Sequence, residues 1–375
     1  MDKILEFLKN YGINALDEYK RWLRKIRIGL VVNPIAGMGG RVGLKGTDNK
    51  YELALKLGAK PVAPKRAVDF LKHLIKDIEL YTYPKDMGEN EAREVGFNPI
   101  VVGEIGDRTS SEDTKRAVKE LSSMVELIVF VGGDGTARDI CEVIGDKIPV
   151  IGVPAGVKMY SAVFALNPKA CARVVNEFVR GNVSFELREV MDVENTTSPK
   201  LFGYMKVPII SDLVQNVKVP DKGNKDGVLS NFLRIFDKNT VYIFGPGGTT
   251  YHLAKSLGFD KTLLGVDVYL NGKVLVRDAN EKDIINILDK YNNVKLVVTP
   301  IGGQGFLFGR GNLQISPIVL RRIGKENIII VSTADKLKSF DSLKVDTGDE
   351  ELDKELEGEM NVLTDIGFIR VKIKG

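Results

Sequence analysis

Leu127-Ile128-Val129-Phe130-Val131 runs directly into Gly132-Gly133-Asp134-Gly135-Thr136. Five consecutive apolar residues are what a strand buried on both faces requires. Similar runs occur at 28–32, 100–102 and 150–153. Helical patterns fall between them, around 50–57, 65–77, 112–124 and 137–144, with another at 169–180 that stops at Gly181. This alternation predicts a parallel sheet with helices on both faces.

Beyond Gly181 the character shifts. Residues 183–298 hold short or alternating apolar runs, such as 241–244 and 266–270, with turn signals at Asp226-Gly227 and Asn271-Gly272. Asn-Gly between two β-prone runs predicts a hairpin. Residues 217–228 read as an exposed loop. A strand is expected from Gly367 to Ile373. The expected fold is α/β, with an N-terminal parallel-sheet domain at 28–181. A second, β-rich domain follows at 182–375, its last segment returning to the first.

Residues 1–27 stand apart as an amphipathic helical extension, with Ile4, Leu8, Tyr11 and Ala15 at helical spacing. Lys20, Arg21, Arg24, Lys25 and Arg27 make its second half basic, and 341–360 is acidic, with nine Asp/Glu against two Lys. Asp2 and Glu6 inside the apolar pattern argue against a signal peptide.

Composition narrows the function classes. A net charge of +4 over 375 residues gives no reason to expect nucleic acid. Two cysteines and two histidines exclude the usual Cys/His zinc sites and a disulfide framework, and point to a reducing cytoplasm. No apolar run reaches the roughly 18–20 residues that span a bilayer. The expected partners are small molecules, and the expected state is a homo-oligomer.

Sixteen of the 38 glycines fall in four clusters, each after an apolar run. The first is Asn33-Pro34-Ile35-Ala36-Gly37-Met38-Gly39-Gly40-Arg41-Val42-Gly43-Leu44-Lys45-Gly46. The second is Gly132 to Thr136, and the third Gly245-Pro246-Gly247-Gly248-Thr249-Thr250. The fourth runs from Gly302 through Gly303, Gln304, Gly305 and Arg310 to Asn312. Each has two readings, a bare tight turn or a backbone cradle for phosphate. Four together favour one jointly lined cleft beyond the strand ends. Neither Gly-Lys pair continues into a P-loop, and Gly37-x-Gly39 misses the dinucleotide fingerprint by one residue.

The glycine loop at 132–136 after a buried strand, with the Asn-Pro loop after the first strand, resembles the superfamily of NAD kinases and diacylglycerol-type lipid kinases. The chain from about residue 28 onward also carries GVPAGVKMYSAVFA at 152–165, GPGGTT at 245–250, LLGVDV at 263–268, TPIGGQGFLFGRGNLQISP at 299–317 and VDTGD at 345–349. In that combination it is similar to the archaeal and bacterial ATP-NAD kinase-like family, which includes the proteins named AcoX in acetoin operons. The resemblance implies an active site between two domains. It also implies transfer of a phosphoryl group from ATP, or polyphosphate, to the 2′-hydroxyl of the NAD adenosine ribose. Mg²⁺ would travel with the donor.

On this resemblance Asp134 is the catalytic carboxylate, orienting the acceptor hydroxyl and taking its proton or helping to hold the donor's Mg²⁺. A Thr136-x-x-Asp139 capping box would leave it free for that work. Asn33, Gly37, Gly39, Gly40, Arg41, Gly43 and Lys45 would cradle the donor phosphates. Gly132, Gly133, Gly135 and Thr136 would approach the ligand, as would Lys158, Gly245, Gly247, Gly248, Thr249, Gly303, Gln304, Gly305 and Arg310. The reading assigns no protein-held metal. Asp192 and Asp267 are further candidates for the ribose. Asn-Glu occurs at Asn90-Glu91 and at Asn176-Glu177, both outside the place of the family's pair. Two other functions remain: a nucleotide sensor without turnover, and a kinase for a lipid or polyol hydroxyl.

Overall fold

The structure is a computed structural model that describes residues 25–44, 51–106, 108–156, 159–193, 200–210, 213–214, 223–301 and 305–375. Residues 1–24 of the N-terminal extension, Lys45, Lys158, Gly303 and Gln304 lie outside the described residues, and Arg27, expected in the extension, is the first residue of the first strand.

The N-terminal sheet has five parallel strands in the order β3-β2-β1-β4-β5. They are β1 (Arg27–Val32), β2 (Glu79–Thr82), β3 (Ile100–Val101), β4 (Leu127–Gly132) and β5 (Val150–Pro154). Its helices are α1 (Tyr51–Lys56), α2 (Ala63–Lys72), α3 (Glu89–Glu94), α4 (Ser111–Leu121), α5 (Asp134–Ile144) and α6 (Pro168–Val179). Helix α2 packs on α6 and α4 on α5. Every residue of β4 is buried, which is why this strand reads so plainly. Strand β2 was not anticipated: Glu79 is exposed, the strand is four residues long, and no apolar run marks it.

An antiparallel hairpin follows, β6 (Ser184–Asp192) with β7 (Lys200–Ile209). It joins neither sheet. One face places Val190, Met205 and Val207 in the N-terminal core, against α5 and β5. The hydrophobic core of the first domain therefore continues past Gly181.

The second sheet has nine strands in the order β10-β9-β8-β11-β13-β15-β16-β14-β12. In chain order these are β8 (Val241–Phe244), β9 (Asp267–Leu270), β10 (Lys273–Val276), β11 (Val294–Val298), β12 (Phe306–Phe308), β13 (Ile328–Val331), β14 (Leu343–Val345), β15 (Gly358–Thr364) and β16 (Gly367–Lys374). Strands β8, β11, β13 and β15 are parallel neighbours. Asn271 and Gly272, at φ 45° and 81°, turn β9 into β10, as an Asn-Gly hairpin should. The helices are α7 (Lys225–Leu233), α8 (Gly248–Ser256), α9 (Glu281–Lys290), α10 (Pro317–Ile323), α11 (Ala334–Leu337) and α12 (Glu350–Leu356).

Alternation along β8 separates two cores. Val241 and Ile243 pack with α9, α10 and α12, whereas Tyr242 and Phe244 pack with α7 and α8. The strand-rich second domain thus carries helices on both faces of its parallel centre.

Two expectations need correction. Residues 225–228 belong to α7 and not to an exposed loop. Asn224 caps that helix by accepting the Gly227 N–H at 3.0 Å, so Asp226-Gly227 lies in a helical first turn, and Val228 and Phe232 anchor it in the core. The closing strand β16 pairs with β15 and β14 in the second sheet and does not return to the first.

Candidate active site

The glycine loops are contiguous. A Cβ at Gly37, which has φ 78°, would collide with the Ala155 carbonyl, so only glycine fits where the first loop crosses the segment after β5. A Cβ at Gly133 would lie 3.1 Å from the Gly156 Cα, which brings the second loop to the same segment. The first loop also reaches the second domain. Gly40 lies against Leu313, and the Arg41 carbonyl accepts the Glu281 N–H at 3.1 Å. Gly43 faces Asp278 and Asn280, and Gly245 of the third loop packs against Ile315, two residues from Leu313.

Asn33 and Thr136 join the first two loops directly. The Asn33 Nδ2 donates to Thr136 Oγ1 at 2.9 Å, while Asn33 Oδ1 accepts the Ile35 N–H at 3.3 Å. Thr136 is buried and packs over Gly132. The expected Thr136-x-x-Asp139 box does not form. Helix α5 begins at Asp134 behind Gly133 with no side-chain cap, and the Thr136 hydroxyl is taken by Asn33.

Asp134 does not cap its own helix either. Its Oδ2 accepts the Tyr160 N–H at 2.6 Å and its Oδ1 the Ser161 N–H at 3.0 Å. Ser161 is tied in turn to β6, its Oγ donating to the Met191 carbonyl at 2.8 Å. Asp134 is only 6% exposed. Burial pushes its carboxyl up to about 7; the Ser161 and Tyr160 hydrogen bonds oppose the shift and the nearby charge of Asp192 adds to it. A carboxyl poised there can exchange a proton near neutral pH.

Arg310 is the cation next to this centre. It is buried, donates through Nη2 to the Leu166 carbonyl, and lies 3.6 Å from Asp346. Its Nε has no hydrogen-bond partner. Burial lowers its pKa to about 10, against the pull of Asp346, and it also feels the charge of Asp134. Asp346 is shared with Arg66 of α2, so loop four is held to the first domain.

The other candidates divide. Gly39 and Gly135 lie within the first two loops, and Arg41 is half-buried beside Gly40. Gly247, Gly248 and Thr249 form the start of α8. Gly305 packs on Leu343 and Phe340, as a turn glycine of the second domain. Asp192 lies near Asp134 and pairs with Arg138 at 2.9 Å. Asp267 is fully buried, bonded to Thr262 and the Asp278 N–H, with Lys261 at 3.4 Å, so it is structural. The Asn90-Glu91 and Asn176-Glu177 pairs are structural too, whereas a third pair that was not singled out, Asn280-Glu281, lies beside the first loop, where the Glu281 N–H meets the Arg41 carbonyl. Asn90 bonds Asp86 and Glu91 is buried in α3, while Asn176 bonds the backbone of His73 and Ile75. Tyr160, Ser161, Arg66 and Asp346 were not singled out, although Asp346 belongs to the VDTGD stretch.

Among the described residues no three His, Cys, Asp or Glu side chains converge as a metal site. Among the same residues no helix is long and apolar enough to cross a membrane.

Two α/β domains, with the first two glycine loops meeting beside a buried carboxyl, define the class of fold. The ATP-NAD kinase N-terminal domain matches residues 28–183, and the ATP-NAD kinase C-terminal domain matches residues 237–365. The chain belongs to the ATP-NAD kinase family. No curated protein matches it. Among solved structures it is similar to yeast NADH kinase complexed with NADH, at 14% identity and a TM-score of 0.27 over 48% of this chain. The match spans 44% of the yeast chain. It is also similar to a protein assigned as a UDP-N-acetylglucosamine 2-epimerase from Listeria monocytogenes, at 11% identity and a TM-score of 0.24 over 86% of this chain and 75% of that one. Scores this low establish nothing about function.

Proposed function

We propose that this protein transfers a phosphoryl group from ATP, or from polyphosphate, to the 2′-hydroxyl of the NAD adenosine ribose, giving NADP. The observation that carries the reading is Asp134, with a carboxyl pKa of about 7 where the first two glycine loops meet. Family membership supports the nucleotide chemistry.

In this mechanism the Asp134 carboxylate accepts the 2′-hydroxyl proton as that oxygen bonds to the terminal phosphorus. The bond to the bridging oxygen breaks, and the shortened donor leaves with the electron pair. Arg310, held by Asp346 and the Leu166 carbonyl, offsets charge on the transferring group. Backbone N–H groups of the first and second loops hold the remaining phosphates. Mg²⁺ is carried by the donor and neutralises its phosphate charge. Because Asp134 is 6% exposed, the acceptor reaches it only when the Met159–Ser161 segment shifts and releases the Tyr160 N–H. The protein acts in the cytoplasm as a homo-oligomer on this reading.

The same burial favours a second reading. Both Asp134 oxygens already accept backbone N–H groups, as in a nucleotide sensor that needs no base. Purified protein with ATP or polyphosphate, Mg²⁺ and NAD or NADH separates the two. NADP(H), detected by a dehydrogenase specific for it, supports the kinase. Nucleotide binding without turnover from any donor supports the sensor.

A further inference from the structure

Helix α8 begins beyond β8 with its first turn uncapped. Gly247 precedes it with no side-chain cap, and the first N–H to bond back is that of Tyr251, to the Gly247 carbonyl at 2.9 Å. The N–H groups of Gly248, Thr249 and Thr250 therefore have no acceptor within the helix. Two buried hydroxyls at this turn are also unsatisfied. Thr249 and Thr299 are each 1% exposed, and neither Oγ1 has a hydrogen-bond partner. Thr299 follows β11, the parallel neighbour of β8, and its methyl occupies the space that a Cβ on Gly247 would need. An unpaired buried hydroxyl is destabilising, so two at one turn mark hydrogen-bonding capacity that an external acceptor can satisfy.

A cation sits over the same turn. The Lys225 Nζ lies 3.5 Å from where a Cβ on Gly248 would be. Lys225 is the first residue of α7, whose start is pinned to α8 by the 2.8 Å contact between Asp226 and His252. The ammonium thus stands at the positive ends of two helices, an arrangement that repels unless an anion lies between. Among the described residues Lys225 has no ion pair or hydrogen bond in the structure.

The geometry points to a phosphate-binding site here, formed by the Gly248–Thr250 N–H groups, the Thr249 and Thr299 hydroxyls and the Lys225 ammonium. The incoming anion takes the place of the Lys225 side chain over the turn, and the ammonium follows as its counter-ion. A phosphate group suits three converging N–H donors, two hydroxyls and one flexible cation. The anion chemistry stands on the geometry alone. Its assignment to a nucleotide rests on the function proposed above, where the group is either the donor polyphosphate or the diphosphate bridge of the dinucleotide.

The test titrates tripolyphosphate, ATP and NAD separately into wild type, Lys225→Met and Thr249→Val by calorimetry, with melting curves of each unliganded protein. Wild type should bind tripolyphosphate, and each variant should bind it at least tenfold more weakly. Thr249→Val should melt no lower than wild type without ligand, since it replaces an unsatisfied buried hydroxyl with a methyl. Where tripolyphosphate binding is lost, an accompanying loss for ATP and not NAD assigns the site to the donor, and one for NAD and not ATP assigns it to the dinucleotide. Unchanged tripolyphosphate affinity in both variants, or no binding by wild type, overturns the proposal. Because these are binding measurements, a wild type that binds through Lys225 yet forms no NADP(H) refutes only the kinase reading.

Discussion

Arg66 and Asp346, 280 residues apart in the chain, meet as a buried two-pronged ion pair between the two domains. Nη1 donates to Oδ1 at 2.6 Å and Nη2 to Oδ2, while Arg66 Nε reaches the Pro154 carbonyl at the end of β5. Burial works against the Arg66 charge, but Asp346 outweighs it and leaves the guanidinium above its ordinary pKa. The pair ties the strand end that precedes Ala155 and Gly156 to the loop that holds Arg310.

Asp346→Asn leaves two buried guanidiniums, Arg66 and Arg310, without their shared counter-charge. Removing one partner of a buried pair costs about 3–5 kcal/mol. Denaturant unfolding should show a loss of that size. A loss below about 1 kcal/mol would mean that the pair does not hold the domains together.

Glycine substitutions should sort by what the missing Cβ would meet. Gly37→Ala drives a methyl into the Ala155 carbonyl, whereas Gly258→Ala, at the similar φ of 84°, finds nothing within 4 Å. Both variants carry the strain of positive φ, about 1 kcal/mol. Only Gly37→Ala should lose roughly another 1–3 kcal/mol through overpacking, together with nucleotide affinity. Equal melting temperatures for the two would contradict the close approach of the first loop to the segment after β5.

Glu91 supplies a pH dependence unrelated to catalysis. It is 3% exposed, its Oε2 lacks a partner, and burial pushes its carboxyl up to about 7. A carboxyl raised in the folded state stabilises when protonated, and that stability is lost as pH rises through about 7. Glu91→Gln stays neutral throughout. Its stability relative to wild type should therefore grow by about 1–3 kcal/mol between pH 5 and pH 8. Asp134 titrates in the same window in both proteins and cancels. Parallel curves across that range would show that Glu91 is solvated.

The parts of the fold that were legible are those with a strong local signature. Strands β1, β4, β5, β8 and β11 are apolar runs, and Asn271-Gly272 marks its hairpin by turn chemistry alone. Strand β2 was not, because Glu79 pairs with a strand distant in the chain, and helix α7 was not, because Val228 and Phe232 anchor it against distant strands while Asp226-Gly227 mimics a turn. The site divides similarly. Glycines leave a visible trace, so the four loops could be named in advance. The N–H groups of Tyr160 and Ser161 carry no residue signature, and Arg66 and Asp346 meet, and Lys225 comes to lie over α8, only through tertiary packing.

The central claim, that Asp134 is the base for phosphoryl transfer to a nucleotide hydroxyl, is tested most directly by the pH dependence of NADP(H) formation in wild type and Asp134→Asn. The account predicts a wild-type kcat/KM that rises through about pH 7. In Asp134→Asn the rate should fall roughly 10²–10⁴-fold and lose that inflection, with nucleotide binding retained. A variant that keeps the wild-type rate and profile would contradict it, as would a wild type that binds nucleotide and forms no NADP(H) at any pH.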